Sequence, residues 1–255
     1  MTVHLDHSDL VSTVNFEKPP MNLLTLDDMR SLVEAHQLAD AHPNTRVIIT
    51  RSGVPGMFSN GLDPHYVLSL TNTQRIDVFQ GVADMFCALV HLKKPHLAVI
   101  EGPAMAGGAI LALTADYRGF EVQKGRISFS EPKVGLPIPQ AVVKAIASVV
   151  PSRYLRDVVM LAANLDAPAS LEFGLADAVG NEKEIQTWVE TTATRLARLS
   201  PAVVQTTKAT LRHSVRESAQ QFAKDLGGFA TFVGDAFLGE GLRALVENRH
   251  PNYTR

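Results

Sequence analysis

Strand, glycine-bearing turn and helix follow one another repeatedly through the first half of the chain, and that order constrains the fold more than any other feature. Arg46-Val-Ile-Ile-Thr50 is a short β-branched run of the kind that forms a buried strand, and the loop Ser52-Gly-Val-Pro-Gly56 ends it. Pro95-His-Leu-Ala-Val-Ile100 is the next strand, after which the turn from Gly102 to Gly108 opens a helix of small apolar residues. Upstream, Val3-His-Leu5 and Leu10-Val-Ser-Thr-Val-Asn-Phe16 form a strand pair around the turn-prone Asp6-His-Ser-Asp9. Thr25 with Asp28 starts a helix that runs to about Ala41 and carries Leu26, Met29, Leu32 and Val33 on one face. A helix over 73–92 and short strands at 116–120 and 126–129 complete this α/β part.

The composition then changes. From Gln140 onward the pattern is almost entirely helical, over 140–150, 152–162, 168–174, 182–199, 201–211 and 215–237, with breaks at Pro151, Pro168 and Pro201. The expected division is a core over 1–199 and a helical C-terminal region over 200–255. The faces of that region carry Phe222, Leu226, Phe229, Phe232 and Phe237, which must pack either on the main domain or against another subunit. A chain of 255 residues with 45% hydrophobic and 20% charged residues buries a substantial core. Its net charge of -2 gives no electrostatic reason to bind nucleic acid. The single Cys87, inside an apolar run, excludes an internal disulfide framework and reads as a core filler. No secretion signal and no membrane span are expected, so the expected location is cytoplasmic.

The chemistry is carried by three stretches: Phe58-Ser-Asn-Gly-Leu-Asp63, Glu101-Gly-Pro-Ala-Met-Ala-Gly-Gly-Ala109 and Phe129-Ser-Glu-Pro-Lys-Val-Gly135. Gly102 and Gly107 have the spacing of half a P-loop, but Gly108-Ala109 stand where the lysine and hydroxyl would be. The dinucleotide fingerprint and the nucleophile elbow are also absent, and the nine histidines have no metal-ligand spacing, so no metal is expected. The pattern that survives is a Gly-Gly pair at a helix N-terminus, where unpaired N–H groups suit a developing oxyanion. Close packing of helix on strand explains the same two glycines equally well. Asn60-Gly61 is a common turn, and an isolated Glu131 is by itself a surface charge.

Taken together and in order, these stretches resemble the crotonase superfamily, the enoyl-CoA hydratase and isomerase group, over nearly the whole chain. Phe58 to Asp63 is similar to its F-S-A-G-x-D turn, Gly102 to Arg118 to its G-x-A-x-G-G-G-x-x-L-A-L-x-x-D-x-R segment, and Phe129 to Pro139 to its E-x-x-x-G-L-x-P segment. Phe173-Gly-Leu-Ala-Asp-Ala-Val179 resembles a further G-L-V-D-x-V stretch. The resemblance implies an α/β fold, a crotonase-like spiral of β-β-α repeats with a C-terminal helical trimerisation region, assembled as a homotrimer or dimer of trimers. It implies an acyl-CoA thioester substrate, coenzyme A being part of the substrate and no separate cofactor being needed. The backbone N–H groups of Leu62 and Gly107 become the oxyanion hole. Phe58, Asn60, Gly61, Asp63, His65, Gly108, Ile110 and Leu136 become the substrate pocket.

The hydratases of the family use two glutamates. The first position is Ile110 here, which can neither activate nor donate a proton; the second is Glu131. A register set on Phe129 would put Lys133 at the acid position, whereas the Glu-x-x-x-Gly register keeps Glu131 with Gly135. One carboxylate beside an oxyanion hole suits proton transfer better than hydration. The resemblance is accordingly closest to the single-glutamate Δ3-Δ2-enoyl-CoA isomerase branch, with Glu131 catalytic and hydration weak or absent. The alternatives are another crotonase reaction, weak hydration or thioester hydrolysis, and a non-catalytic acyl-CoA-binding module.

Overall fold

The computed structural model describes residues 1–254. A hairpin of β1 (Thr2–Ser8) and β2 (Val11–Glu17) leads into α1 (Leu26–Ala41) and β3 (Val47–Ser52). Next come α2 (Pro64–Ser69), α3 (Asn72–Val90), β4 (His96–Ile100), β5 (Pro103–Met105) and α4 (Gly107–Leu113). The middle of the chain supplies β6 (Tyr117–Glu121), β7 (Arg126–Ser128), α5 (Gln140–Ala147) and α6 (Ser152–Val159). After them run β8 (Leu165–Asp166), α7 (Ala167–Glu172), β9 (Ala178–Gly180) and α8 (Glu182–Ala197). The chain closes with α9 (Pro201–Leu211), α10 (His213–Lys224), α11 (Phe229–Val233) and α12 (Ala236–Val246).

The local signals act where physical chemistry places them. Thr25 and Asp28 form a reciprocal capping box at the start of α1. The Asp28 carboxylate also receives the N-terminal amine and Lys18, and these partners outweigh its burial and hold its pKa down to about 2. Pro168 and Pro201 lie in the first turns of α7 and α9, where a missing N–H costs nothing. Several boundaries differ from expectation. The β1–β2 turn is Asp9-Leu10 rather than Asp6–Asp9, with Asp9 at φ 49°, and pairing continues through Ser8. The long helix expected over 215–237 is broken twice, between Lys224 and Phe229 around Gly227-Gly228 and again at Gly234-Asp235. The short strands β5, β8 and β9 were not expected, and two of them lie beyond residue 140. Segments of two or three residues have no period to read, and only their partners make them strands.

Two sheets build the spiral. The larger has the order β1-β2-β3-β4-β6-β9, antiparallel only at the first pair and parallel thereafter. Its central strand β4 is buried along its whole length, as a strand covered on both faces must be. The smaller sheet has the order β5-β7-β8, and an isolated parallel bridge between Ser59 and Ala104 adds one more rung beside β5. Each turn of the spiral thus runs from a large-sheet strand to a small-sheet rung and on to a helix: β3, Ser59, α2; β4, β5, α4; β6, β7, α5.

The C-terminal helices share the main core. Val215, Ala219 and Phe222 of α10 belong to the same apolar cluster as β4 and α4, and α10 packs on α3 and α5. Buried cations fasten them. Lys208 Nζ reaches the Asp116 carboxylate and the Lys94 carbonyl, both at 2.7 Å, and Arg212 Nε lies 3.3 Å from Asp116. Arg216 donates to the carbonyls of Val90 at the end of α3 and Leu92 just past it. Asp116→Asn should leave two buried cations without their counter-charge and cost roughly 3–5 kcal/mol. Urea unfolding with an unchanged m value measures this, and a loss below about 1 kcal/mol would contradict the anchoring role.

Candidate active site

Three consecutive small-sheet rungs end on the same side. Phe58 N and Ser59 N both donate to the Pro103 carbonyl, Met105 N donates to Ser59 O at 2.8 Å, and Ala106 N donates to Ser128 O at 2.9 Å. Parallel rungs lie about 4.8 Å apart, so the residues just past each rung come within reach of those past the others. Those residues are Asn60-Gly61-Leu62 after the first rung, Ala106-Gly107-Gly108 after the second and Ser130-Glu131 after the third.

The first two turns touch backbone to backbone. Gly61 has φ +77°, and a Cβ there would lie 2.8 Å from Gly107 N, closer than real side chains come. A Cβ on Gly108 would lie 2.1 Å from the Ser59 carbonyl oxygen. The packing explanation therefore holds for Gly108. Gly107 differs, because the Cβ position on it would meet Gly61 and Leu62 N at 3.4 and 3.6 Å. Neither Leu62 N–H nor Gly107 N–H donates to an acceptor among the described residues. Ala106, just before them, has φ 46° and ψ -119°, a conformation that costs a non-glycine residue about 1–3 kcal/mol and marks a strained turn.

Glu131 opens a 3-10 turn over Glu131–Val134, is 6% exposed, and has its Oε2 buried with no hydrogen-bond partner. Burial pushes its carboxyl up to about 7. From the far side, α12 packs on this turn and the Tyr253 hydroxyl donates to the Lys133 carbonyl at 3.0 Å. Lys133 itself is exposed, so the register that pairs Glu131 with Gly135 is the one that puts a titratable group inside.

A cavity of about 100 Å³ joins these parts. Leu62, Gly107 and Glu131 line it together with Asn60, Ile110 and Leu136. Glu131 is the one ionisable side chain among its lining residues; Asn60 and Ser130 supply the other polar side chains, and Ile110 occupies the wall as an apolar group. Five residues assigned to the pocket by resemblance do not reach it. Phe58 is fully buried edge-on to Phe16, with centroids 5.3 Å apart. Gly61 and Gly108 hold the turns against one another from behind. Asp63 caps α2 by accepting from the N–H groups of His65 and Tyr66, and His65 is exposed.

The reading by motif missed the far wall: Phe79 and Val82 from α3, Phe222 from α10, Phe229 from α11 and Leu242 from α12. Its signal was the run of C-terminal aromatics. Phe222, Leu226 and Phe229 turn inward onto the main core, while Phe232 and Phe237 remain 42% exposed. No cluster of three or more metal-ligating side chains occurs among the described residues, and no helix there is long and apolar enough to cross a membrane.

Burial of Glu131 has a thermodynamic signature. Below pH 4.5 the carboxyl is protonated folded and unfolded, and costs nothing. Between 4.5 and about 7 only the unfolded chain releases the proton, so stability falls as pH rises. Above that range the loss is complete, at roughly 3 kcal/mol. Glu131→Gln should therefore be the more stable protein near pH 8 and equal to the parent near pH 4.5, measured by urea unfolding across pH. A pH-independent difference would contradict the buried acid.

Comparison with known proteins agrees with this architecture. The sequence profile described as Enoyl-CoA hydratase/isomerase matches residues 6–255. Human mitochondrial enoyl-CoA delta isomerase 1 is 23% identical over 93% of this chain and 79% of its own length. A probable enoyl-CoA hydratase of Mycobacterium leprae is 24% identical over 99% of this chain and 98% of its own. Among solved structures, human mitochondrial delta3-delta2-enoyl-CoA isomerase superposes with a TM-score of 0.91, at 22% identity over 96% of this chain and 97% of that one. The spiral is the crotonase fold, and the chain belongs to the enoyl-CoA hydratase/isomerase family of acyl-CoA-processing enzymes.

Proposed function

We propose that the protein isomerises 3-enoyl-CoA to 2-trans-enoyl-CoA, with Glu131 moving one proton beside an oxyanion hole made by Leu62 N–H and Gly107 N–H. The observation that carries this reading is the composition of the cavity wall, in which Glu131 is the lone ionisable side chain and Ile110 faces the same space. The thioester carbonyl and the β,γ double bond acidify the C2 proton. The Glu131 carboxylate takes it, and the C2–H electron pair forms a dienolate with C1=C2 and C3=C4 double bonds and the negative charge on the carbonyl oxygen; the pair shifts to give C2=C3 only as C4 takes up the proton. The two N–H groups hold that oxygen, each such donor being worth about 3 kcal/mol of barrier. Glu131 then returns the proton to C4, restoring the thioester and its own charge. A carboxyl held near 7 is a stronger base than an ordinary carboxylate and still ionises at neutral pH.

Hydration is the competing reading, since relatives named as hydratases stand beside the isomerases. Adding water across a double bond calls for one group to activate the water and another to protonate carbon, and Ile110 provides neither. The apolar residues Leu199, Val203 and Leu211, exposed by 54%, 63% and 77%, support self-association as a trimer or dimer of trimers.

Glu131→Gln should lower kcat for 3-enoyl-CoA by about 10²–10⁴-fold with little change in binding of the CoA ester, read by absorbance of the conjugated product. Unchanged turnover would remove Glu131 from the reaction. In the parent enzyme kcat/KM should rise with pH to a plateau, with a midpoint at about 7. Crotonyl-CoA should be hydrated slowly or not at all, and rapid hydration would overturn the one-acid scheme.

A further inference from the structure

We infer that the enzyme is built for short acyl chains, about four to six carbons, and that Phe229 with Phe79 and Phe222 sets this limit. The inference rests on the proton-shuttle reading for where the thioester lies. That reading puts the carbonyl oxygen at Leu62 N and Gly107 N, and C2 and C4 at Glu131. All of these border the same cavity, so the first four carbons are accommodated within its about 100 Å³. A dry apolar cavity of about 150 Å³ takes up one six-carbon ring. On that scale the space here takes about four carbons, and little remains beyond C4.

Interlocked rings occupy the wall of that space. Phe229 meets Phe79 edge-on with centroids 5.6 Å apart and Phe222 edge-on at 5.8 Å, and all three rings line the cavity. The distant α3 and the consecutive α10 and α11 thus converge on one stop. Edge-to-face rings at these separations are in favourable contact, so separating them to admit more methylenes has a cost. Phe222 is 8% exposed and Phe79 5%, each seated in the main core. Phe229 is half-buried on a five-residue helix, and truncating it removes the smallest part of the core among the three.

The test is a panel of 3-enoyl-CoA esters from four to ten carbons, with the parent enzyme and Phe229→Ala. In the parent, kcat/KM should peak at four to six carbons and fall by at least about tenfold at ten. In Phe229→Ala the ten-carbon ester should gain about tenfold relative to the four- and six-carbon ones. A parent that turns over long and short esters equally well overturns the inference, as does a variant with the parent's length profile. Calorimetric binding of saturated butyryl-, hexanoyl- and decanoyl-CoA to the parent provides a measure independent of turnover and of the variant's folding. Tighter binding of decanoyl-CoA than of butyryl-CoA also overturns the length limit. Failure to isomerise any ester overturns the proposed reaction instead, and leaves the binding series to decide chain length.

Discussion

The contact of Gly61 with Gly107 is the constraint on which the rest of the site depends. Two polypeptide turns from successive rungs of a small sheet approach until no side chain fits at Gly61, and this leaves the N–H groups of Leu62 and Gly107 close together without acceptors among the described residues. Backbone donors placed this way need no side-chain ordering and do not titrate. The approach is held by the ladder itself, through Met105 N to Ser59 O and Ala106 N to Ser128 O. The third rung, tied by the second of those bonds, leads directly to Glu131. The proposed oxyanion site and base are thus set by one hydrogen-bonded stack rather than by separate loops.

Electrostatics depends on that placement. Glu131 enters a cavity walled by apolar side chains, and the loss of water around Oε2 raises its pKa. Two other carboxylates are sheltered only in company: Asp116 meets Lys208 and Arg212, and Asp28 meets Lys18 and the amino terminus. Glu131 is the exception, a buried carboxyl with no cation beside it. An unpaired acid that destabilises the fold above neutral pH is a reasonable marker of a group kept for its chemistry.

Much of this was legible in the sequence, and the reasons for the remainder are physical. The start of α1 was readable because Thr25 and Asp28 cap it locally, and the motif stretches were readable because short-range geometry demands glycine at defined places. The positions of Glu131 and Ile110 in one wall are consistent with the order of those stretches. β5, β8 and β9 were not readable, since residues such as Leu165-Asp166 become a strand only beside Arg126-Ile127. Phe58, Asp63 and His65 belong to a recognisable turn yet face away from the cavity, because a motif records the whole turn and not which atoms reach the substrate. The ring stop of Phe79, Phe222 and Phe229 joins positions up to 150 residues apart, and no local pattern announces such a meeting.

The central claim is that one carboxyl carries a proton from C2 to C4. Isomerisation of a 3-enoyl-CoA carrying deuterium at C2, in ordinary water and analysed by mass spectrometry and NMR of the product, tests it most directly. The account predicts that part of the deuterium removed from C2 reappears at C4 of the same molecule, with the remainder lost to solvent while Glu131 holds it. Deuterium lost entirely to solvent at the earliest measurable conversion, with none at C4, would contradict a single-glutamate shuttle.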